Sequence, residues 1–252
     1  MSNLDINLSK VAEISLLFWF MKIIATTLGE TLGDFISLTL GLGYLVGMGI
    51  TLAFFIIVLA IQLSINKYHP ICFWLVIIAT TTLGTEISDF SDRSLHLGYT
   101  MGSLVLCSFL ILTLILWYKK FKTLSVYPIF DRNKEIFFWV AVLLSNSLGT
   151  AFGDYLSDVI GLSYLNGALV TAGIIVLIIF LHYFTKINQI ILFWIAFIFT
   201  RPFGATFGDF LTKPTSKGGL DLGTLKASVV SIILMVILIM MSHHKINKVE
   251  LK

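Results

Sequence analysis

The sequence predicts an all-α integral membrane protein: eight transmembrane helices built as four parallel two-helix repeats, in two pseudo-symmetric halves. Three observations predict it. The first is composition: of 252 residues, 57% are hydrophobic and only 12% charged, about half the charged share of a soluble domain. The second is a series of eight apolar stretches, at about 13–33, 43–65, 71–90, 98–118, 135–154, 163–183, 190–210 and 222–242. Each is long enough for the ~20 residues a bilayer requires. The third is an internal repeat. The stretch from Trp19 to Asp34 recurs from Trp74, Trp139 and Trp194. A Gly follows each Trp by ten residues (Gly29, Gly84, Gly149, Gly204) and an Asp by fifteen (Asp34, Asp89, Asp154, Asp209). Of five Trp, only Trp117 lies outside this register.

Taken in order, the first span follows Asp5, Lys10 and Glu13 with no small-residue cleavage site, which reads as a retained helix and not a signal peptide. The repeats then cover about 13–65, 71–118, 135–183 and 190–242 of a single membrane domain, 1–252. The Trp-to-Trp steps are 55, 65 and 55, so a shift of 120 maps the first half onto the second. The longest connection, 119–134, is polar and basic and links the halves. The even helices open on a weaker repeat: Tyr44, Tyr99 and Tyr164 stand ten residues after their Asp, with Gly47, Gly102 and Gly167 three further on. The turn before it is tight or partly re-entrant, which lipid permits only where the backbone faces protein or water. In the fourth repeat that turn lengthens to TKPTSKGGLD. Pro202 is expected to break or kink the seventh helix.

Two helices per repeat give every repeat the same orientation, about an axis along the membrane normal. The termini and inter-repeat connections then share one side, with twelve basic residues including Lys10, Lys22, Lys119, Lys120, Lys245, Lys248 and Lys252. Five remain elsewhere: Arg93, Arg201, Lys213, Lys217 and Lys226. That bias predicts a multi-pass protein of the cell's inner (plasma) membrane with both termini cytoplasmic.

The repeated Trp residues read as an aromatic belt at that interface. The small residues four apart (Gly29/Gly33, Gly84/Ser88, Gly149/Gly153, Gly204/Gly208) read as stripes for close helix packing. The acids carry the chemistry. At ~1.5 Å per residue each Asp lies about 22 Å beyond its Trp, past the midplane of a ~30 Å core. Ionisable groups at that depth are costly and point to a functional site. Glu30, Asp34, Glu86, Asp89, Asp154 and Asp209 form the candidate cation site, with Glu30, Asp34, Glu86 and Asp89 as the expected direct metal ligands. Arg201, Arg93 and Lys213 are the candidate counter-charges. The competing structural reading is a set of ion pairs, since Arg93 and Lys213 each follow an Asp by four. Oxygen donors suit a hard cation such as Mg²⁺, Ca²⁺ or Mn²⁺. Cys72 and Cys107 are isolated and suggest neither a disulfide nor a thiolate site.

On the residues Trp19, Trp74, Trp139 and Trp194 the chain resembles a family of bacterial membrane proteins built from a "repeat of unknown function", four tandem copies with two transmembrane segments and one Trp each. The resemblance implies the architecture and names no activity. The Gly-Asp corners are also similar to the acidic Glu-x-Gly-Asp signatures of small manganese or calcium exporters, although here Glu30 precedes Gly33-Asp34 by three. The expected function is a proton-coupled transporter of a cation, in particular a divalent one. Its partners would be lipid, cation and protons, with no nucleic acid and no cofactor beyond a bound divalent ion. The alternatives are a structural or accessory membrane subunit, or an intramembrane aspartyl protease using two of the Gly-Asp carboxylates.

Overall fold

A computed structural model describes the backbone of residues 9–250 and the side chains of 9–243. Asp5 and Lys252, and the side chains of Lys245 and Lys248, counted above for charge, lie outside the described residues. Eight helices are long and apolar enough to cross a membrane. They are α1 (Leu16–Asp34), α2 (Tyr44–Ser64), α3 (Pro70–Asp89), α4 (Gly98–Phe121), α5 (Arg132–Asp154), α6 (Tyr164–Phe184), α7 (Gln189–Thr212) and α8 (Thr224–Glu250).

Each odd helix starts on a side-chain cap that satisfies an otherwise orphan backbone N–H. Ser15 accepts from Phe18 N at 3.3 Å, His69 from Cys72 N at 3.4 Å, Asp131 from Lys134 N at 2.9 Å and Asn188 from Ile190 N at 2.8 Å. Asp131 starts α5 early and Lys122, in the left-handed region, stops α4 late, so the basic linker is shorter than 119–134. The anticipated turn after each Asp is also more ordered than expected. In three repeats the helix passes straight into a π-helical turn, Phe35–Thr39, Phe90–Ser94 and Tyr155–Val159. In the fourth, a 3₁₀ turn (Thr215–Lys217) replaces it. Pro202 does not break α7, which runs unbroken through it. The ring of Pro202 lies against Gly149, where a Cβ would stand 2.9 Å from its Cδ. A packed neighbour is what makes Pro tolerable inside a membrane helix.

The odd helices form a closed ring in the order α1, α3, α5, α7 and back to α1. They run parallel: Gly29 faces Thr81 while Gly33 faces Thr85, and Gly204 faces Thr26 while Gly208 faces Glu30. The glycines are what let these backbones meet. A Cβ on Gly29 would lie 2.8 Å from the Thr81 carbonyl carbon, and one on Gly84 3.0 Å from the Ser147 nitrogen. The even helices pack outside, each on the odd helix of the next repeat: α2 on α3, α4 on α5, α6 on α7, and α8 on α1. The last contact closes the circle. In their apolar windows the even helices bury 22% of residues against 56–72% for the odd ones. Their exposed Leu, Ile, Val and Phe side chains therefore form the outer, lipid-compatible surface.

The Trp residues do not form a belt. Trp74 and Trp139 are 1% exposed, Trp194 is buried and Trp19 half-buried. Each packs edge-on to the Phe before it, with ring centroids 5.3 Å apart for Phe18–Trp19, 5.4 Å for Phe73–Trp74, 4.9 Å for Phe138–Trp139 and 5.6 Å for Phe193–Trp194. Four interlocked Phe-Trp pairs thus close one end of the ring as an aromatic core. Beside them Glu135 accepts from Gln62 at 2.9 Å and pairs with Lys10 at 2.5 Å, a buried polar cluster.

Candidate functional site

The repeat register stacks four interior layers along the ring. Residues three, seven, eleven and fifteen after each Trp lie four apart on one helical face, and all sixteen are buried. Starting from the Trp end, the first layer is Lys22, Ile77, Val142 and Phe197. Next come Thr26, Thr81, Asn146 and Arg201; then Glu30, Thr85, Thr150 and Ala205. The last is the ring of Asp34, Asp89, Asp154 and Asp209. Lys22, counted with the cytoplasmic-side lysines, lies in the layer nearest the Trp residues and is 0% exposed, because its register position points into the ring.

The four Asp residues come together as two pairs, each bridged by one cation. Lys213 Nζ lies 2.5 Å from Asp34 Oδ2 and 3.3 Å from Asp209 Oδ1. Arg93 lies 3.3 Å from Asp89 Oδ1 and 3.1 Å from Asp154 Oδ2. The shift of 120 interchanges the two clamps, Arg93 with Lys213 and Asp89 with Asp209. Between them, above Asp154 and Asp209, is a cavity of about 150 Å³ also lined by Ser157, Asp158, Tyr164 and Lys217.

The clamps are related by position and differ in chemistry. Arg93 also donates to the Tyr44 and Tyr99 hydroxyls at 3.0 and 3.2 Å, and Tyr99 in turn donates to Asp158 at 2.6 Å. A planar guanidinium held on several sides is a fixed strut. Among the described residues, Lys213 Nζ pairs with its two carboxylates alone. Burial opposes its charge, and Asp209 and Asp34 more than offset that, holding its pKa above the usual lysine range. Glu30 joins this second clamp: oxygens of Glu30, Asp34 and Asp209 lie within 4.8 Å of one another, close enough to share a metal ion. Arg201, whose expected role was open between the carboxylates and Asp209, pairs with Glu30 at 2.8 Å and donates to Thr85 across the ring at 2.5 Å.

Among the expected direct ligands, Glu30 and Asp34 are therefore together, with Asp209 as the third oxygen donor. Glu86 stands apart, both of its oxygens 2.6 Å from the Ser37 hydroxyl, and Asp89 belongs to the Arg93 clamp. The glycine of the even-helix repeat explains the position of Glu86: a Cβ on Gly47 would lie 2.8 Å from Glu86 Oε2. Sequence reasoning passed over Asp92, which is buried with Oδ1 unpartnered, and Lys22. The signal for Lys22 was its register, where the other repeats have Ile77, Val142 and Phe197.

The comparison with known families agrees with this geometry. The profile of the Repeat of Unknown Function (DUF347) matches residues 17–68, 72–123, 137–188 and 192–244, so each match contains one odd and one even helix. No curated protein and no solved structure matches the chain. Four consecutive matches cover most of the chain, and the chain belongs to the Repeat of Unknown Function (DUF347) family.

Proposed function

We propose that this multi-pass protein transports a small hard cation, divalent in the first instance, in exchange for protons. It does so in the plasma membrane with both termini cytoplasmic. The observation that carries this reading is the ammonium of Lys213 among Glu30, Asp34 and Asp209. Three buried carboxylates need positive charge close by, and Lys213 supplies it from a flexible, singly charged stem. A divalent cation has the same oxygen preference and more charge. It takes the place of Lys213, which swings towards the cavity beside Lys217 and Asp158. The Arg93 clamp is the fixed counterpart in the other half. An ammonium between the two Asp residues of a pair supports cation exchange more directly than a protease dyad, whose carboxylates share a proton.

The test is the metal content of cells with and without the protein. Expression is expected to change cellular manganese, magnesium or calcium, and Asp209→Asn is expected to abolish the change. Unaltered content of all three, with the protein present in the membrane, would overturn the divalent reading.

A further inference from the structure

Lys22 is a buried cation that the exchange site does not use. Its side chain is 0% exposed, and its Nζ donates to Asn146 Oδ1 at 2.8 Å and sits 4.0 Å from the centroid of the Phe197 ring. In the ring order α1, α3, α5, α7, helices α1 and α5 are diagonal partners, so the bond from Lys22 to Asn146 spans the ring axis. Asn146 Nδ2 donates onward to Thr80 on α3 at 3.1 Å. All four odd helices thus meet at this amine. The residues at its register in the other repeats, Ile77, Val142 and Phe197, are apolar and fully buried. Packing alone calls for a fourth apolar side chain.

Its partners set Lys22 apart. The buried cations Lys10 and Arg201 and the half-buried Arg93 and Lys213 each pair with a carboxylate. Among the described residues no carboxylate pairs with Lys22. The groups around it are Thr80 from α3, Asn146 from α5, and Phe197 and Arg201 from α7. Outside α1, helix α8 has no charged side chain between Lys226 and His243. Losing a proton from Lys22 therefore breaks no ion pair and strands no buried carboxylate. Burial without a counter-charge disfavours the charged form of a lysine.

We infer that Lys22 is the proton-carrying residue of the exchange, standing on the axis between the carboxylate site and the Trp-closed end. The ammonium gives its proton to water admitted from one side of the membrane during the exchange cycle, and the resulting amine takes a proton from water admitted from the other. This rests on the exchange reading above and names the residue that carries its proton half.

The experiment uses the full chain in liposomes loaded with a pH-sensitive dye, with Mn²⁺ as the probe. Wild type is expected to couple manganese movement to an opposite change of lumenal pH. Lys22→Met is expected to keep manganese binding, read as a thermal shift of the purified protein, and to lose the pH change down to the level of empty liposomes. Lys22→Arg keeps a positive charge and hydrogen bonds but does not release protons, and it is expected to lose the pH change as well. Coupling at the wild-type level in either folded variant would overturn the proposal. Wild type that moves protons down an imposed pH gradient but binds no metal would sink the cation site. It would support the Lys22 inference if the two variants then conduct no protons. Wild type that moves neither would overturn both.

Discussion

The pair formed by Arg201 and Glu30 gives the sharpest stability prediction. Both side chains are buried, Arg201 at 0% and Glu30 at 5% exposure, with Nη2 2.8 Å from Oε2. Arg201 also donates to the Thr85 hydroxyl at 2.5 Å and to the Thr26 carbonyl at 3.4 Å. In Arg201→Met, the Glu30 carboxylate loses its ion-pair partner and keeps, besides the more distant Lys213, a long contact to Thr85 at 3.4 Å. Breaking a buried pair by removing one partner costs about 3–5 kcal/mol, roughly two to four powers of ten in the folding equilibrium. In Glu30→Leu/Arg201→Met the charge is gone with its partner, and the loss is expected to fall below about 1 kcal/mol. The assay is reversible unfolding of purified protein in mixed micelles, arranged as a double-mutant cycle. A single-variant loss under about 1 kcal/mol, or a double loss equal to the sum of the singles, would show that Arg201 does not neutralise Glu30.

Three further outcomes follow from the same geometry. In Gly204→Val the new Cβ would fall 2.8 Å from the Thr26 carbonyl carbon, and overpacking of about 1–3 kcal/mol or more is expected to lower stability in that assay. Gly49→Ala, with open space around it, is expected to leave it unchanged or raised. Lys213→Met removes the tethered ammonium, so its stability is expected to fall without added cation and to recover with Mn²⁺ more than wild type does; equal recovery would contradict the exchange reading. A lysine whose folded pKa is raised contributes stability that is complete below the ordinary lysine value of about 10.4 and lost only above it. The Lys213 proton itself therefore adds no slope from about pH 6 to 9, and a wild-type minus Lys213→Met stability difference that changes there reports proton uptake by the carboxylates. For topology, in a chain with Cys72→Ser and Cys107→Ser, a cysteine introduced by Ser216→Cys should react with an impermeant reagent outside intact cells, and one introduced by Asn133→Cys should not.

Much of the fold is legible in the sequence because the repeat and the apolar runs are direct consequences of membrane burial. The Trp-to-Gly-to-Asp spacing marks the odd helices, their parallel run and the depth of the carboxylates. The packing of each even helix on the next repeat is not legible, since a tandem repeat looks the same whether its halves pack within or between copies. The aromatic belt failed for a local reason. A Trp at a helix start suits an interface and a core equally, and the distinguishing signal was the Phe before it in all four copies: Phe18, Phe73, Phe138 and Phe193. At the site, the Asp residues and their i,i+4 cations could be read directly. The bridges from Lys213 to Asp34 and from Arg93 to Asp154 join residues 179 and 61 apart in sequence, and only ring closure brings these together. Closure likewise selects Asp209 over Glu86 and Asp89 as the companion of Glu30 and Asp34.

The exchange site is tested most directly by calorimetric titration of purified protein with Mn²⁺, Mg²⁺ and Ca²⁺ at several pH values. Binding of at least one of these ions is expected, weakening as pH falls because protons compete for the same carboxylates. Binding should be lost in Asp209→Asn and retained in Asp131→Asn, which alters only the helix cap of α5. Absence of binding for all three ions at every pH, or equal binding by Asp209→Asn and wild type, would contradict it.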